Sequence, residues 1–133
     1  MSTGKLGEDR VSKHYEGLGW KLLDRNFTNR FGKQIGELDL VFAGKKELVF
    51  VEVKTRSTNR FGLGVEAVDV GKQRKLINIA KFYLRRHPQY QGWNYRFDVA
   101  VVNLDPVRGQ TSNGVDNKTQ PVIIIPNAIE DLD

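Results

Sequence analysis

The sequence contains no cysteine and no long hydrophobic run among its 133 residues. Without cysteine, disulfide bridges and thiolate metal sites are excluded. No apolar stretch approaches the roughly 18 residues that a membrane-spanning helix needs, and the polar start Met1-Ser2-Thr3-Gly4-Lys5 lacks the apolar segment of a signal peptide. We therefore expect a cytoplasmic protein that has no membrane partner.

Negative charge is scarce in the first three quarters of the chain. Residues 1–100 hold 19 Lys and Arg against 11 Asp and Glu, a net charge of +8, whereas residues 101–133 hold 2 against 5, a net charge of −3. A basic body with an acidic tail suits a partner that has a phosphate backbone. Many basic proteins bind no nucleic acid, so the charge supports such a partner only together with other features.

Hydrophobic patterning predicts one α/β domain over residues 1–133, with a mixed central sheet flanked by helices in the order αβββαββ. Helices are predicted over residues 5–15 and 70–86, and strands from Trp20 and over residues 36–42, 48–54, 95–102 and 122–125. In the second helix, helical spacing predicts a core-facing stripe made of Leu76, Ile79, Ala80, Tyr83 and Leu84. This order argues against a doubly wound nucleotide fold, which needs repeated parallel crossovers. We also expect a flexible loop over residues 102–121 and a C-terminal turn and tail over residues 127–133, where Asn127 and Glu130 have capping-box spacing.

The two strands predicted at residues 36–42 and 48–54 are hydrophobic, yet together they contain three carboxylates and one ammonium group. Alternation along the first strand places Glu37 and Asp39 on one face, opposite a face of leucine and phenylalanine. Along the second strand it places Glu52 and Lys54 on one face, opposite a face made only of valine. Buried charges are costly unless they are compensated, so these four residues need an explanation.

A tight turn at residues 45 and 46 would pair hairpin residues whose numbers sum to 91, which sets Asp39 opposite Glu52 and Glu37 opposite Lys54. Like charges in direct opposition destabilise an antiparallel pair, and a hard divalent cation would compensate them. Lys54, roughly 7 Å along the strand from Glu52, would reach a metal-bound water or a phosphate. The alternative is a pair of cross-strand salt bridges, Glu37 with Lys54 and Asp39 with an arginine, which such hydrophobic strands disfavour.

The spacing of Asp39 and Glu52-Val53-Lys54 resembles the D…(E/D)xK signature of the restriction-endonuclease-like nucleases. The wider pattern resembles the YraN family of small bacterial proteins, regarded as predicted endonucleases related to archaeal Holliday junction resolvases. It covers about residues 4–102 and, through Asn127-Ala128, the tail; the segments that carry it are Gly7-Glu8, Gly36-Glu37-Leu38-Asp39-Leu40, Phe50-Val51-Glu52-Val53-Lys54-Thr55-Arg56, Lys72-Gln73 and Arg96-Phe97-Asp98-Val99. The full signature of this superfamily has a proline directly before the aspartate, and this chain has Leu38 at that position.

The resemblance implies a restriction-endonuclease-like core and metal-dependent cleavage of a nucleic-acid phosphodiester, in DNA rather than RNA, with branched and single-stranded structures as expected substrates. Asp39 and Glu52 would hold Mg²⁺ or Mn²⁺, and the Val53 carbonyl and Glu8 would be further ligands. Lys54 would orient or help deprotonate the attacking water, so Asp39, Glu52 and Lys54 form the expected catalytic set. For Glu8 the alternative is a helix-dipole partner in the first turn of its helix.

Other polar residues near this set are expected to have supporting roles. Glu37 and Gln73 are second-tier site residues by position or by resemblance. Arg56 and Arg60 lie on or beside a glycine-rich loop suited to phosphate contact, and Lys72 lies in the first turn of a helix, where backbone N–H groups favour anions. The alternatives are an ordinary surface loop and a solvated helix face.

Two other classes of function stay open. One is a non-catalytic nucleic-acid-binding module with the same fold, and the other is a scaffold domain whose strand charges form salt bridges. The complete set of Asp39, Glu52 and Lys54 favours the nuclease, because a pure binder would not need all three. A resolvase that acts on symmetric junctions would favour a homodimer.

Three further polar residues are expected to be structural. Asp98 lies in a predicted central strand and is expected to pair with Arg96 or with a loop amide. His14 and His87 have no partner at metal-ligand spacing, so we expect them at the surface or in packing contacts.

Overall fold

The computed structural model describes residues 3–56, 70–103 and 122–129, which form a five-stranded mixed sheet and two α-helices. The order αβββαββ and the mixed α/β architecture agree with the prediction, with one added 3₁₀ turn after the second helix. The elements are α1 (Thr3–Gly17), β1 (Lys21–Thr28), β2 (Glu37–Ala43), β3 (Glu47–Arg56), α2 (Val70–Arg86), the 3₁₀ turn (Pro88–Tyr90), β4 (Asn94–Asn103) and β5 (Val122–Ile129).

The strands lie in the sheet in chain order, from β1 at one edge to β5 at the other. Only the β3–β4 pair among these strands is parallel, and the other three neighbouring pairs are antiparallel. A parallel pair needs a long connection, and the segment between β3 and β4 contains α2. The pairing of β3 with β4 runs without interruption from Glu47 opposite Asn94 to Arg56 opposite Asn103.

Each face of the sheet is covered by one helix, because the hydrophobic residues of the strands point to both sides. The α2 stripe expected from its helical spacing packs on one face, and Val11 and Tyr15 of α1 pack on the other. In β3, Phe50 points to the α2 side and Val49 and Val51 to the α1 side, as alternation predicts. The buried residues of the α2 stripe are Leu76, Ile79, Ala80 and Tyr83.

The alternation predicted for β2 is wrong at Asp39. Leu38 packs on the α2 side of the sheet, whereas Leu40 packs on the α1 side. The neighbouring strand is irregular at the same level, because Asn26 has a φ of 53°, in the left-handed region. Phe27, the next residue of β1, pairs with Leu38 and packs with it. The alternation of side chains is therefore interrupted in both β1 and β2 at the level of Asp39.

The turn predicted from Asn127 is also wrong, because β5 extends to Ile129. Asn127 has a φ of 51°, and its backbone N–H donates to Oδ1 of Asp98 at 3.1 Å. The pairing of β4 with β5 shifts at this point and resumes at Phe97 opposite Ile129. The side chain of Asp98 thus satisfies the backbone at an irregularity that local sequence spacing does not reveal.

The loop predicted over residues 102–121 starts later than expected, since β4 continues to Asn103. Its remaining residues, 104–121, and the predicted tail over 130–133 lie outside the described residues. Within the described ranges, no helix is long and apolar enough to cross a membrane.

Candidate active site

The hairpin of β2 and β3 has the predicted register. Its paired residues have numbers that sum to 91, and the pairing ends at Leu40 opposite Val51. Asp39 and Glu52 occupy the next position along the two strands. The register therefore brings these two carboxylates to the open end of the hairpin, as the spacing of the sequence predicts.

Asp39 closes the end of this ladder with its side chain instead of its backbone. The backbone N–H of Val53 donates to Oδ2 of Asp39 at 2.8 Å. In a regular antiparallel ladder, backbone carbonyls accept such N–H groups. Here the acceptor is the Asp39 carboxylate, so the backbones of β2 and β3 are no longer directly hydrogen-bonded beyond Leu40 and Val51. The two strands can separate at this point, and a cleft opens between them.

The cleft has a volume of about 560 Å³ and lies between the open end of the hairpin and the first half of α2. Both carboxylates reach it, although Glu52 is only 6% exposed and Asp39 is half-buried. Its lining consists mostly of polar and charged residues: Gln34, Ile35, Gly36, Glu37, Asp39, Glu52, Val53, Lys72, Lys75 and Leu76.

The surroundings of Asp39 disfavour its charged form. Burial, followed by the negative charge of Glu52, raises the pKa of Asp39 to about 8, and Glu8 adds a smaller effect in the same direction. The hydrogen bond from Val53 opposes this rise but does not cancel it. The protonated form of Asp39 is therefore favoured beside Glu52, so that the two adjacent acids avoid holding two full negative charges.

Lys72 supplies the positive charge that Glu52 needs. Its Nζ forms an ion pair with Oε2 of Glu52, and its side chain is 48% exposed. Lys72 is the third residue of α2, so the first turn of the helix brings the ammonium group over the cleft. The sequence pointed to Lys72 as a phosphate contact, but it did not reveal the partner Glu52.

Lys54 lies on β3, two residues beyond Glu52 and opposite Val101 of β4. The uninterrupted β3–β4 register keeps the alternation regular, so Lys54 belongs to the same side of the sheet as Glu52. It is half-buried and is not among the described residues that line the cleft. Glu37 does line the cleft and is exposed. The catalytic role of Lys54 stays a prediction.

Glu8 lies apart from the cleft, on α1. Its Oε1 is 3.7 Å from Nη2 of Arg25 and accepts a hydrogen bond of 3.3 Å from Nδ2 of Asn26. Together with Gly4 and Lys5, these residues line a second cavity of about 450 Å³. Since α1 begins at Thr3, Glu8 lies beyond the first turn, and the helix-dipole alternative does not apply. The metal-ligand role of Glu8 stays a prediction.

The other predicted site residues lie around the cleft or outside the described residues. Gln73 follows Lys72 in α2 and is half-buried, but it is not one of the described residues that line the cleft. Arg56 is the last residue of β3 and is half-buried. Arg60 lies outside the described residues, so its predicted phosphate contact is not addressed by the structure.

Five residues of the cleft wall are absent from the sequence-based site: Gln34, Ile35, Gly36, Lys75 and Leu76. Lys75 lies one helical turn after Lys72 on the same face of α2, and this spacing is the signal that would have identified it. Gly36 approaches α2 so closely that a Cβ atom there would lie 2.8 Å from the Lys75 carbonyl oxygen. A glycine at this position therefore allows the wall of the cleft to meet the helix.

The donor atoms of the cleft suit a hard divalent cation with water in its remaining positions. Asp39 and Glu52 supply carboxylate oxygens, which Mg²⁺ and Mn²⁺ prefer, and Mg²⁺ sites often use only one or two carboxylates. Among the described residues, no group of three or more His, Cys, Asp and Glu side chains is placed to hold a metal ion. The chain can therefore offer a two-carboxylate site, which solvent or phosphate oxygens would complete.

Asp98 has the structural role expected from the sequence. It is fully buried, and its oxygens accept hydrogen bonds from Nε of Arg96 at 3.1 Å and from the hydroxyl of Tyr15 at 2.7 Å. Burial, followed by this hydrogen bond, raises the pKa of Tyr15 well above its usual range. His87 also packs as expected, because its ring stacks on Tyr83 at 3.9 Å between centroids.

Comparison with known proteins identifies similar chains in distant bacteria. The family model described as "Uncharacterised protein family UPF0102" matches residues 7–102, and YraN is the same family. A UPF0102 protein of Caldanaerobacter subterraneus subsp. tengcongensis is 39% identical over 105 residues, covering 79% of this chain and 82% of the relative. One from Fusobacterium nucleatum subsp. nucleatum is 40% identical over 101 residues (74% and 81%), and one from Frankia alni is 42% identical over 106 residues (80% and 84%).

Proposed function

The chain belongs to the UPF0102 family, and we propose that it is a metal-dependent endonuclease with a restriction-endonuclease-like fold that hydrolyses DNA phosphodiester bonds. One observation carries the proposal: the open hairpin brings Asp39 and Glu52 together in one cleft, where the pKa of Asp39 rises to about 8. Two adjacent acids repel each other when both are ionised, and a bound cation would relieve that repulsion.

The residues of the cleft divide the expected chemistry among them. A bound Mg²⁺ or Mn²⁺ supplies Lewis acidity and a more acidic coordinated water. Asp39 and Glu52 would hold the ion, and Asp39 must first lose its proton. Lys72 would leave Glu52 and become available to a phosphate oxygen. Lys54, by the resemblance, would orient or help deprotonate the attacking water and offset charge at the transition state.

The charge around the cleft supports a phosphate-containing substrate. Lys72 and Lys75 line the cleft itself, and Arg56 ends the strand that carries Glu52. Residues 1–100 have a net charge of +8, which favours association with a polyanion at a distance as well as in contact. DNA is therefore the substrate class proposed, with branched and single-stranded structures as the forms to test first.

A second function, a nucleic-acid-binding module without turnover, is favoured by one specific observation. Lys72 already neutralises Glu52, and Asp39 is neutral when protonated, so the cleft is electrically satisfied without a metal. A protein of this kind would keep the fold and the basic surface. It would bind DNA in the cleft through Lys72 and Lys75 and would not need a cation.

Calorimetric titration with Mn²⁺ distinguishes these two functions without requiring the right substrate. We expect the wild type to bind Mn²⁺ and Asp39→Asn to bind at least tenfold more weakly, because the amide keeps the size of the side chain but loses its charge. Glu37→Gln is the matched control: it removes an exposed carboxylate from the same cleft and should change the affinity less than threefold. A wild type that binds no Mn²⁺ would rule out the nuclease.

Cleavage is then assayed on labelled junction, flap, duplex and single-stranded DNA with Mg²⁺ or Mn²⁺. We expect the wild type to cut at least one substrate, and both Asp39→Asn and Lys54→Ala to be inactive. Metal-free binding of DNA by Asp39→Asn should be preserved, since the protonated aspartate of the wild type is neutral as well. Wild-type inactivity on every substrate, together with tight binding, would favour the binding module. Equal activity of Asp39→Asn would show that the chemistry takes place elsewhere.

A further inference from the structure

The loop between β1 and β2 is organised around the side chain of Asn29, which is only 8% exposed. Its Nδ2 donates to the carbonyl oxygens of Phe31 at 3.0 Å and Lys33 at 2.9 Å, and its Oδ1 accepts from the N–H of Ile35 at 2.8 Å. One buried amide thus fixes three backbone positions of the loop. A segment held in this way has a defined shape.

The same loop exposes Phe31 to solvent. Its side chain is 84% exposed, although burying a phenylalanine contributes about 1.5–3 kcal/mol relative to leaving it exposed. Arg30 and Lys33, on either side of Phe31, are exposed as well. Gly32, between them, has a φ of 76°, which allows the chain to reverse directly after the aromatic ring. The loop therefore displays one aromatic ring among cations.

This loop continues directly into the wall of the candidate active-site cleft. Gln34, Ile35 and Gly36 line the cleft, three to five residues after Phe31. The hydroxyl of Thr28 donates to the carbonyl oxygen of Gly36 at 2.7 Å, which ties the two ends of the loop together. Phe31 is therefore attached to the wall of the cleft through a short and well-bonded segment.

We propose that this loop is a binding site for an unpaired nucleobase, with Phe31 stacked on the base and Arg30 and Lys33 in contact with the flanking phosphates. Aromatic side chains next to cations bind single-stranded nucleic acid in this way, and stacking contributes about 1–3 kcal/mol per base. A base inside a duplex has no free face. The site therefore specifies DNA with unpaired bases beside the cleft. The inference rests on the proposed function for its choice of nucleic acid, but not on cleavage.

Of the two flanking cations, Lys33 favours a nucleobase over a protein partner. Lysine is depleted from the cores of protein–protein interfaces, because its ammonium group must lose its water there. Beside a base, the same ammonium group meets a phosphate and releases a counterion. The net charge of +8 in residues 1–100 acts in the same direction.

Fluorescence anisotropy of a labelled oligonucleotide tests the site in the full-length protein without metal. The probes are a single strand of about 15 nucleotides and the blunt duplex of the same sequence. We expect Phe31→Ala to weaken single-strand binding about 5- to 150-fold, the range that corresponds to 1–3 kcal/mol, and to change duplex binding less than twofold. Phe31→Tyr should bind like the wild type. Phe31→Leu, similar in volume but without an aromatic face, should behave like Phe31→Ala.

Three binding results would overturn the proposal: Phe31→Ala leaves the affinity for the single strand unchanged, Phe31→Ala loses affinity equally for both probes, or Phe31→Leu binds the single strand like the wild type. A fourth result would assign Phe31 to a protein interface instead: the wild type is a dimer, and Phe31→Ala converts it to a monomer without loss of single-strand affinity. Sedimentation checks the last of these. Because the ring is exposed, unfolding midpoints should not change. The assay needs neither Mn²⁺ nor turnover, so it can refute the base-binding loop without refuting the nuclease activity. In the same way, failure of the nuclease tests would not refute the base-binding loop.

Asn29 provides a test of the loop's organisation. Asn29→Ala removes the three hydrogen bonds that hold the backbone of the loop, so Phe31 remains but its position is no longer fixed. The affinity of Asn29→Ala for the single strand should be lower than that of the wild type. Phe31→Ala should reduce this affinity much less when it is introduced into Asn29→Ala than when it is introduced into the wild type. Full additivity of the two substitutions would show that Asn29 does not position Phe31.

Discussion

The Nζ atom of Lys72 lies 2.5 Å from Oε2 of Glu52, so a half-exposed ammonium group from α2 neutralises a nearly buried carboxylate in β3, at the open end of the β2–β3 hairpin. This ion pair occupies the carboxylate oxygen that a metal ion in the cleft would also need. Lys72 and a bound cation would therefore compete for Glu52. Their exchange would couple metal binding to the release of a lysine toward the substrate.

Replacing Lys72 with methionine tests this competition. Lys72→Met keeps much of the apolar stem but removes the charge, so Mn²⁺ should bind about 3- to 10-fold more tightly, on the order of 1 kcal/mol, as expected when an ion pair with a half-exposed lysine is removed. Calorimetry measures the change. Lys75→Met, which removes a charge from the same cleft, is the control and should have a smaller effect. Weaker binding by Lys72→Met would show that the lysine supports the metal site.

The pKa of Asp39 predicts how stability depends on pH. The ordinary value is 3.8 and the value in the folded protein is about 8, so between these pH values the folded state holds a proton that the unfolded state has released. The contribution of Asp39 to stability is complete below about pH 4 and is lost as the pH rises to 8. We therefore expect Asp39→Asn, which cannot ionise, to be more stable than the wild type by about 1–3 kcal/mol at pH 8 and by much less at pH 4.

Chemical denaturation at several pH values between 4 and 8 measures this difference. Glu37→Gln serves as the control, because it removes an exposed carboxylate that lies two residues away. A stability difference between wild type and Asp39→Asn that does not change with pH would contradict the raised pKa.

Metal binding should release the proton of Asp39. Because the acid must ionise before it can hold a cation, the apparent Mn²⁺ affinity should rise between pH 6 and 8 by up to about tenfold per pH unit. Calorimetry in two buffers with different ionisation enthalpies counts the protons released. We expect close to one proton per Mn²⁺ at pH 6.5. An affinity independent of pH, with no proton release, would show that the ion binds without Asp39.

The parts of the fold that follow local patterns could be predicted from the sequence. The register of the β2–β3 hairpin follows from a short turn and strand alternation, and the α2 stripe follows from helical spacing, so both were correct. Asp39 and Glu52 come together for the same reason. Family membership was accessible as well, because the motifs lie in order along one continuous segment.

Two of the features that were missed depend on contacts between distant segments. Leu38 and Leu40 point to opposite sides because two strands are irregular at the same level, which no single-strand period shows. The ion pair of Lys72 with Glu52 joins residues twenty positions apart through the packing of α2 on the sheet. In the sequence, nothing distinguishes Asn29 from the other polar residues of its loop, and only the structure shows its three hydrogen bonds.

Asp98 and Asp39 are both carboxylates placed in the sheet, and their substitution by asparagine should have opposite effects. Asp98 is fully buried and accepts hydrogen bonds from Arg96, Tyr15 and the backbone of Asn127, so its negative charge is paired. Asp98→Asn removes the buried anion of Arg96, which among the described residues keeps only the 3.6 Å ion pair with Glu47, and should destabilise the protein by about 2–4 kcal/mol. In the protein that remains folded, Mn²⁺ affinity should change less than twofold, because this network is separate from the cleft. Asp39→Asn should instead increase stability at pH 8 and weaken Mn²⁺ binding at least tenfold. Denaturation and calorimetry on the two variants at pH 8 give both quantities. If Asp98→Asn abolished Mn²⁺ binding without loss of stability, the metal site would have to be assigned to Asp98.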